Sequence, residues 1–317
     1  MASNYKTEDP ASLELTVPGE LAGLRLDQAL ARLLPQHSRS RISGWMRLGE
    51  VHVSGAVAKP KQKVWGGEHV RVAATPAPEA LAHRPEPLAL AIAHEDDALI
   101  VIDKPAGLVV HPGSGNWSGT LLNALLHHCP ALAQVPRAGI VHRLDKDTSG
   151  LMVVAKTLAA QTGLARQIQR RSVGRIYQAI AHGDIVEPGS VDAPIGRHRV
   201  QRTRMAVVAG GRDARTHYAP LERFGHATLV ECVLDTGRTH QIRVHLAAID
   251  HPLLGDPVYG RRRESPAERI AAIGRQALHA VRLELEHPVN GQRMRFRSAL
   301  PPDLQAALER LRAAHAQ

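Results

Sequence analysis

The alternation of apolar and polar positions divides the chain into three stretches. From Gly23 to Val72 the pattern is compact. Leu26, Leu30, Leu33 and Leu34 recur at i, i+4, i+7 and i+8, which predicts an amphipathic helix ended by Pro35. Ser38 is placed to cap a second helix over Arg39–Leu48 that turns Ile42, Trp45 and Met46 inward. A short strand at Val51–Val53, turns at Ser54-Gly55 and Gly66-Gly67, and the alternating His69-Val70-Arg71-Val72 complete a small α+β module. Residues 1–22 read as a flexible N-terminus and 23–75 as the folded module. Four prolines among alanines (Pro76, Pro78, Pro85, Pro87) make 76–87 a semi-extended linker.

The remainder, residues 88–317, is strand-rich. Ala98–Asp103, Ile140–His142, Leu151–Ala155, Arg175–Ala181, Arg215–Leu221, Ala227–Leu234 and Arg282–His287 have strand patterns. Thr120–His128, Thr157–Arg171 and a closing Leu304–Ala314 have helical ones. Strands with turn signals and few helices predict an α+β domain around a largely antiparallel, mixed sheet.

Composition narrows the function. The 317 residues are 44% hydrophobic, enough to bury cores, and 40 Lys+Arg against 30 Asp+Glu give a formal charge of +10. Such an excess favours a polyanionic partner, nucleic acid before an anionic membrane surface. Arg39, Arg41, Arg47, Lys59, Lys61 and Lys63 cluster within the first module, either as a solvated face or, as we favour, as an RNA-binding surface. Cys129 and Cys232 lie far apart, outside any CxxC spacing, as expected of reduced thiols. The start of the chain lacks an apolar signal region and the longest apolar runs are too short to cross a bilayer, so a cytoplasmic protein without a membrane partner is expected. Nineteen histidines invite a metal reading, yet no HExxH or Cys/His cluster at zinc spacing occurs, and no metal is expected.

Two polar segments stand out. Gly139–Leu151 holds an arginine, two carboxylates, a lysine and two hydroxyls between apolar stretches, and Asp235–His245 follows the strand ending at Leu234. By chemistry alone the first is either a functional loop or an ordinary hairpin, in which Asp147 and Ser149 bond nearby backbone N–H groups and Gly150 supplies a positive φ. The second reads equally as a surface turn entering a helix.

Taken together, these residues carry a resemblance. RLDQAL at Arg25–Leu30, SRSRI at Ser38–Ile42 and GEVHVSG at Gly49–Gly55 resemble the S4 RNA-binding domain. HRLDKDTSGL at His142–Leu151 is very similar to the signature of the RluA-type pseudouridine synthases. The same holds for LIVIDKPAGLVVHPG at Leu99–Gly113, TLLNALLHH at Thr120–His128, TGRTHQIRVHL at Thr236–Leu246, HPLLGDPVYG at His251–Gly260 and QALHA at Gln276–Ala280.

The resemblance implies an S4-like domain before a pseudouridine synthase fold, and the isomerisation of uridine without cofactor or metal. It implies Asp145 as the essential carboxylate, with Asp147 in a turn role, and Arg243 as the arginine pairing with that carboxylate and holding its geometry. Tyr177 would stack on the extruded uracil, Arg143 would enter the RNA where the base leaves, and Leu278 would line the pocket, with His142 and Arg238 beside the substrate. The implied partner is 23S ribosomal RNA or a large-subunit precursor, modified at several uridines of one stem-loop during ribosome biogenesis by a monomer. Related enzymes act on other rRNA sites or on tRNA. An S4-containing methyltransferase would need a glycine-rich nucleotide loop, which is missing, and an S4-type assembly protein would not need the intact HRLD and QIR positions. Arg261–Arg263 receives no role.

Overall fold

The computed structural model describes residues 12–59, 61–73, 81–113, 115–261 and 263–316. The chain forms two compact units, 1–81 and 82–317. The first contains β1 (Ser12–Thr16), α1 (Leu26–Leu33), α2 (Arg39–Arg47), β2 (Val51–Val53), β3 (Ala56–Val57) and β4 (His69–Ala73). Its sheet is antiparallel in the order β1-β4-β2-β3. Leu26, Leu30, Ile42, Trp45, Val51, Val70 and Val72 form the core, as the helical and alternating periods require. The Ser38 side chain accepts from the Arg41 N–H and starts α2.

Two expected boundaries need correction. Ser12–Thr16 is a paired strand rather than flexible terminus, because Leu13 and Leu15 alternate against the core and pair along β4; residues 1–11 lie outside the described residues. Residues 74 and 75 of the expected module and 76–80 of the expected linker also lie outside them, but 82–87 belong to the second unit. There Asn123 donates its side-chain amide to the Arg84 carbonyl at 2.8 Å, and the Glu86 N–H donates to the Asn123 carbonyl at 3.0 Å.

The second unit runs β5 (Ile92–Glu95), β6 (Leu99–Lys104), α3 (Leu121–His128), β7 (Ser149–Ala155), α4 (Leu158–Gln169), β8 (Gly174–His182) and β9 (Gly189–Asp192). It continues with β10 (Ile195–Arg197), β11 (Met205–Val207), β12 (Arg215–Arg223), β13 (Ala227–Leu234) and α5 (Gln241–Ala248). α6 (Pro266–Ala271), β14 (Leu278–Glu286), β15 (Arg293–Arg297) and α7 (Pro302–His315) close it. The main sheet has the order β5-β6-β7-β14-β8-β13-β12-β9, with β15 beside the C-terminal half of β14; β10 and β11 form a separate hairpin. The β7–β14 pair is parallel and the other pairs are antiparallel, the mixed sheet that was expected.

Both faces of the sheet centre are covered, which explains the unbroken apolar runs of β6 and β7. Ile100, Ile102, Met152 and Val154 meet α3 and α5 on one face; Leu99, Val101, Leu151 and Val153 meet α4 on the other. A third cluster packs α6 and α7 near Ile180 and Leu229. Two local patterns misled the sequence reading. Ile140–His142 is not a strand but a single bridge from Ile140 to Val154, because Arg137, Ala138 and Gly139 have φ of 56°, 50° and 76° and turn the chain out of the extended region. β14 starts at Leu278, ahead of the expected Arg282, so the last three residues of QALHA, Leu278–Ala280, are strand.

Candidate active site

The loop carrying Asp145 leads into β7 and is held by its backbone. Lys104, the last residue of β6, is fully buried, and its ammonium donates to the carbonyls of Pro105 (2.8 Å), Leu108 (3.0 Å) and Lys146 (2.9 Å). Burial pushes Lys104 down to about 7, against the opposing pull of Asp147 and Asp145; three carbonyl acceptors match all three N–H donors of the charged form. The Gly107 N–H reaches the same Lys146 carbonyl at 2.9 Å, and Arg275 Nη1 donates to the Asp147 carbonyl at 2.9 Å. The expected bonds from the Asp147 and Ser149 side chains to backbone N–H groups do not form: Ser149 Oγ pairs with His279 Nδ1 at 2.9 Å. Gly150 has φ 112°, and a Cβ there would lie 2.4 Å from the Ala280 carbonyl of β14.

Asp145 projects into a cleft of about 600 Å³ that brings Arg143, Tyr177, Arg238, Arg243 and Leu278 together with it, and includes His142. Arg243 Nη1 donates to Asp145 Oδ2 at 3.0 Å. The fork of the guanidinium is turned the other way, to Asp256, through Nε–Oδ2 at 2.7 Å and Nη2–Oδ1 at 2.9 Å. Asp256, whose side chain is wholly buried, also accepts the N–H groups of Val258 (2.8 Å) and Tyr259 (2.9 Å). Burial alone would raise Asp256; its bonds and charge pairing with Arg243 outweigh that and hold it below the usual carboxylate range. Burial opposes the charge on Arg243 too, but its two carboxylates raise it above its ordinary value. The Arg243 guanidinium therefore stays charged and oriented whether or not substrate is bound.

Segment 235–245 is more than a surface turn. Gln241 locks it, accepting from Thr236 Oγ1 (2.8 Å) and the Arg238 N–H (2.9 Å) and donating to the Arg215 carbonyl (2.9 Å). His240, at φ 57°, starts α5 and faces Asp145 with Nε2 3.9 Å from Oδ1, while its Nδ1 meets the Tyr259 hydroxyl at 2.8 Å. Sequence reasoning assigned no role to Asp256, Tyr259 or His240, although all three lie inside the recognised blocks. The signal was block membership; the roles depend on which carboxylate the fork of Arg243 faces.

Tyr177 is 6% exposed and burial pushes its hydroxyl up to about 12, so it is protonated at neutral pH. Leu278 is equally enclosed on the neighbouring β14. Arg143 is exposed at the rim, and Arg238 is half-buried with Nε on the Asp213 carbonyl at 3.0 Å. His142 has its Nε2 occupied by the Val153 N–H at 3.0 Å, and burial, then the charge of Arg175, push it down to about 3. It is a neutral pin for β7 at the cleft wall. In the first unit, Arg47 and Lys61 are exposed, Arg39 donates to Asp27 at 3.1 Å, and the Arg41 guanidinium stacks 5.2 Å from the Trp45 ring. Among the described residues no cluster of His, Cys, Asp and Glu could hold a metal, and no helix is long and apolar enough to cross a membrane.

A carboxylate–arginine pair in an arginine-lined cleft beside a mixed sheet is the kind of site that suits an enzyme with a polyanionic substrate. Residues 98–248 match the RNA pseudouridylate synthase family and residues 24–70 match the S4 domain. The chain belongs to the RNA pseudouridylate synthase family and is an RNA pseudouridine synthase with an S4 domain at its N-terminal end. It is 60% identical to "Ribosomal large subunit pseudouridine synthase D" of Nitrosomonas europaea, over 96% of this chain and 89% of that one. The protein of the same name from Pseudomonas aeruginosa is 53% identical, over 93% of this chain and 94% of that one. Among solved structures, "Human RNA Pseudouridylate Synthase Domain Containing 4" superposes with TM-score 0.56 at 28% identity, over 74% of this chain and 95% of that one.

Proposed function

We propose that this enzyme isomerises several uridines of one stem-loop of 23S ribosomal RNA, free or within a large-subunit precursor, as a cytoplasmic monomer. The observation that carries the ribosomal reading is the nearly full-length likeness, S4 domain included, to relatives named for the large subunit. In the reaction the N1–C1′ bond of the uridine breaks, the freed uracil rotates, C5 joins C1′ and loses its proton, and N1 gains one. Asp145 is the carboxylate that attacks C1′ or the uracil ring as a nucleophile, or takes the 2′ hydrogen. Its Oδ2 is held by Arg243, and its Oδ1 lies 3.9 Å from His240 Nε2. Tyr177 stacks on the uracil with Leu278 beneath it, and Arg143, Arg238 and His142 border the entry. The exposed Arg47 and Lys61, with Arg39 and Arg41, make the S4 domain the structured-RNA clamp. The residue boundaries 82–317 delimit the catalytic domain in this reading.

The deciding experiment maps pseudouridines in total RNA from cells with and without the gene. Loss confined to neighbouring 23S uridines is expected. Loss elsewhere in ribosomal RNA or in tRNA moves the target, and no loss refutes the assignment. Turnover of purified enzyme on transcribed 23S RNA is expected to survive excess EDTA once RNA refolding is controlled for.

A further inference from the structure

Arg175 lies on β8 two residues before Tyr177, so both side chains leave the same face of the strand, about 7 Å apart along it. It is 6% exposed and borders the cleft. Its Nε is buried without a hydrogen-bond partner, and Nη2 reaches only the Asp235 carbonyl, at 3.4 Å. Among the described residues no carboxylate pairs with it; the nearby Asp235 carboxylate turns instead to His217 at 3.3 Å. Gly237 makes the space, since a Cβ there would lie 2.5 Å from Arg175 Nη1.

The contrast with Arg243 is informative. That arginine is as deeply buried and has two carboxylates. A guanidinium removed from water without a counter-ion is destabilising, because the lost hydration is not replaced. A buried arginine left in that condition at the wall of a cleft is poised for an anion that arrives from outside. Arg143, Arg171, Arg212 and Arg238 border the same cleft and would draw that anion in.

We propose that Arg175 is a phosphate-binding residue, taking the phosphodiester that flanks the uridine whose C1′ faces Asp145. The spacing suits this: one pleat of β8 separates the base-stacking Tyr177 from the guanidinium, comparable to the reach from a nucleobase to its own phosphate. The planar fork then supplies two parallel N–H donors to phosphate oxygens. The missing counter-ion of the free enzyme becomes a selective device, since a neutral ligand cannot replace the lost hydration.

The test compares the wild type with Arg175→Met and Arg175→Lys on unmodified transcribed 23S RNA, a probe that rests on the ribosomal reading. Arg175→Met is expected to melt at the same temperature as the wild type or higher, because no carboxylate is orphaned. Its RNA affinity at about 0.15 M salt is expected to fall about tenfold, and the slope of log K against log salt to flatten by about 0.7–0.9, one phosphate contact. Arg175→Lys is expected to keep the salt slope and lose part of the affinity. Phosphate-ethylation interference on the wild type is expected to mark a phosphate beside the modified uridine, and that mark is expected to vanish with Arg175→Met. Unchanged slope and interference pattern in Arg175→Met, or a lowered melting temperature with unchanged RNA binding, would overturn the proposal. Should Arg175→Met not fold, a wild-type interference pattern without a mark beside the modified uridine overturns it equally. A wild type that binds the transcript but forms no pseudouridine refutes the ribosomal target instead, because the salt slope is read on the bound complex.

Discussion

Asp145 and Asp147 are two residues apart and chemically alike, yet only one carboxylate is engaged by Arg243 at 3.0 Å; the other contributes its carbonyl to Arg275. Asp145→Asn keeps the size and much of the hydrogen bonding but loses charge and nucleophilicity. It is expected to give no detectable pseudouridine while RNA binding persists, whereas Asp147→Asn is expected to retain appreciable activity. Product from the first, or the reverse asymmetry, in a single-turnover assay would reject Asp145 as the carboxylate. Asp256 extends the same logic. Because it alone satisfies the fork of Arg243, Asp256→Ala leaves a buried guanidinium with one partner and is expected to lower stability by about 3–5 kcal/mol. Arg243→Lys is expected to retain little activity, since an ammonium cannot bridge both carboxylates in the observed geometry. Equal chemical-denaturation midpoints for wild type and Asp256→Ala would contradict the pairing.

At the scale of elements, the site depends on how β7 begins. Its parallel pairing to β14 involves Ser149 and Gly150 alone, a few residues after the candidate carboxylate. Gly150 is required there for two reasons: its φ of 112°, and the Ala280 backbone that a methyl group would strike. Gly150→Ala is expected to cost about 1–3 kcal/mol by overpacking and to depress turnover more than RNA affinity. A variant with wild-type turnover would show that the β7–β14 junction does not position Asp145. The Lys104 ammonium acts from the opposite side of the loop, joining the end of β6 to the Lys146 carbonyl.

At the scale of the molecule, the two units have separate cores, one built around Leu30 and Trp45 and the others on the main sheet. A protein starting at residue 82 is therefore expected to fold, to bind RNA more weakly with a flatter salt dependence, and to retain single-turnover chemistry at saturating concentration. Unchanged affinity would deny the S4 domain its clamp role. The whole fold also has a predictable response to acid. His111 and His142 are pushed down to about 4 and about 3, and His182, His240, His245 and His279 also lie below 6.5, with burial the leading cause in each. The unfolded chain then binds more protons than the folded one below pH 6.5. Stability is fully present above that pH and is lost as pH falls through the folded-state values. Melting temperature is expected to drop between pH 7 and pH 5 by about 2–4 °C for each kcal/mol lost. A flat profile would contradict the buried, neutral state of these histidines.

Local periodicity determined much of this protein in advance. The 3.6-residue pattern around Leu26–Leu34 and the apolar run of Leu99–Ile102 specify their elements because packing demands them wherever the elements lie. Motif blocks pointed to Asp145, Arg243 and Leu278, and the resemblance added Tyr177; the fold gathers all four into one cleft. The strand at Ser12–Thr16 was missed because two leucines among polar residues become a strand only once β4 offers an edge. Arg243 illustrates the remaining limit. The family resemblance implies a carboxylate partner, but Asp145 and Asp256 come to it from 98 residues before and 13 after. Which carboxylate receives the fork and which the single N–H depends on the approach of two loops and α5, and so does the isolation of Arg175 from every described carboxylate. Such pairings depend on distance in space, which spacing along a chain does not encode.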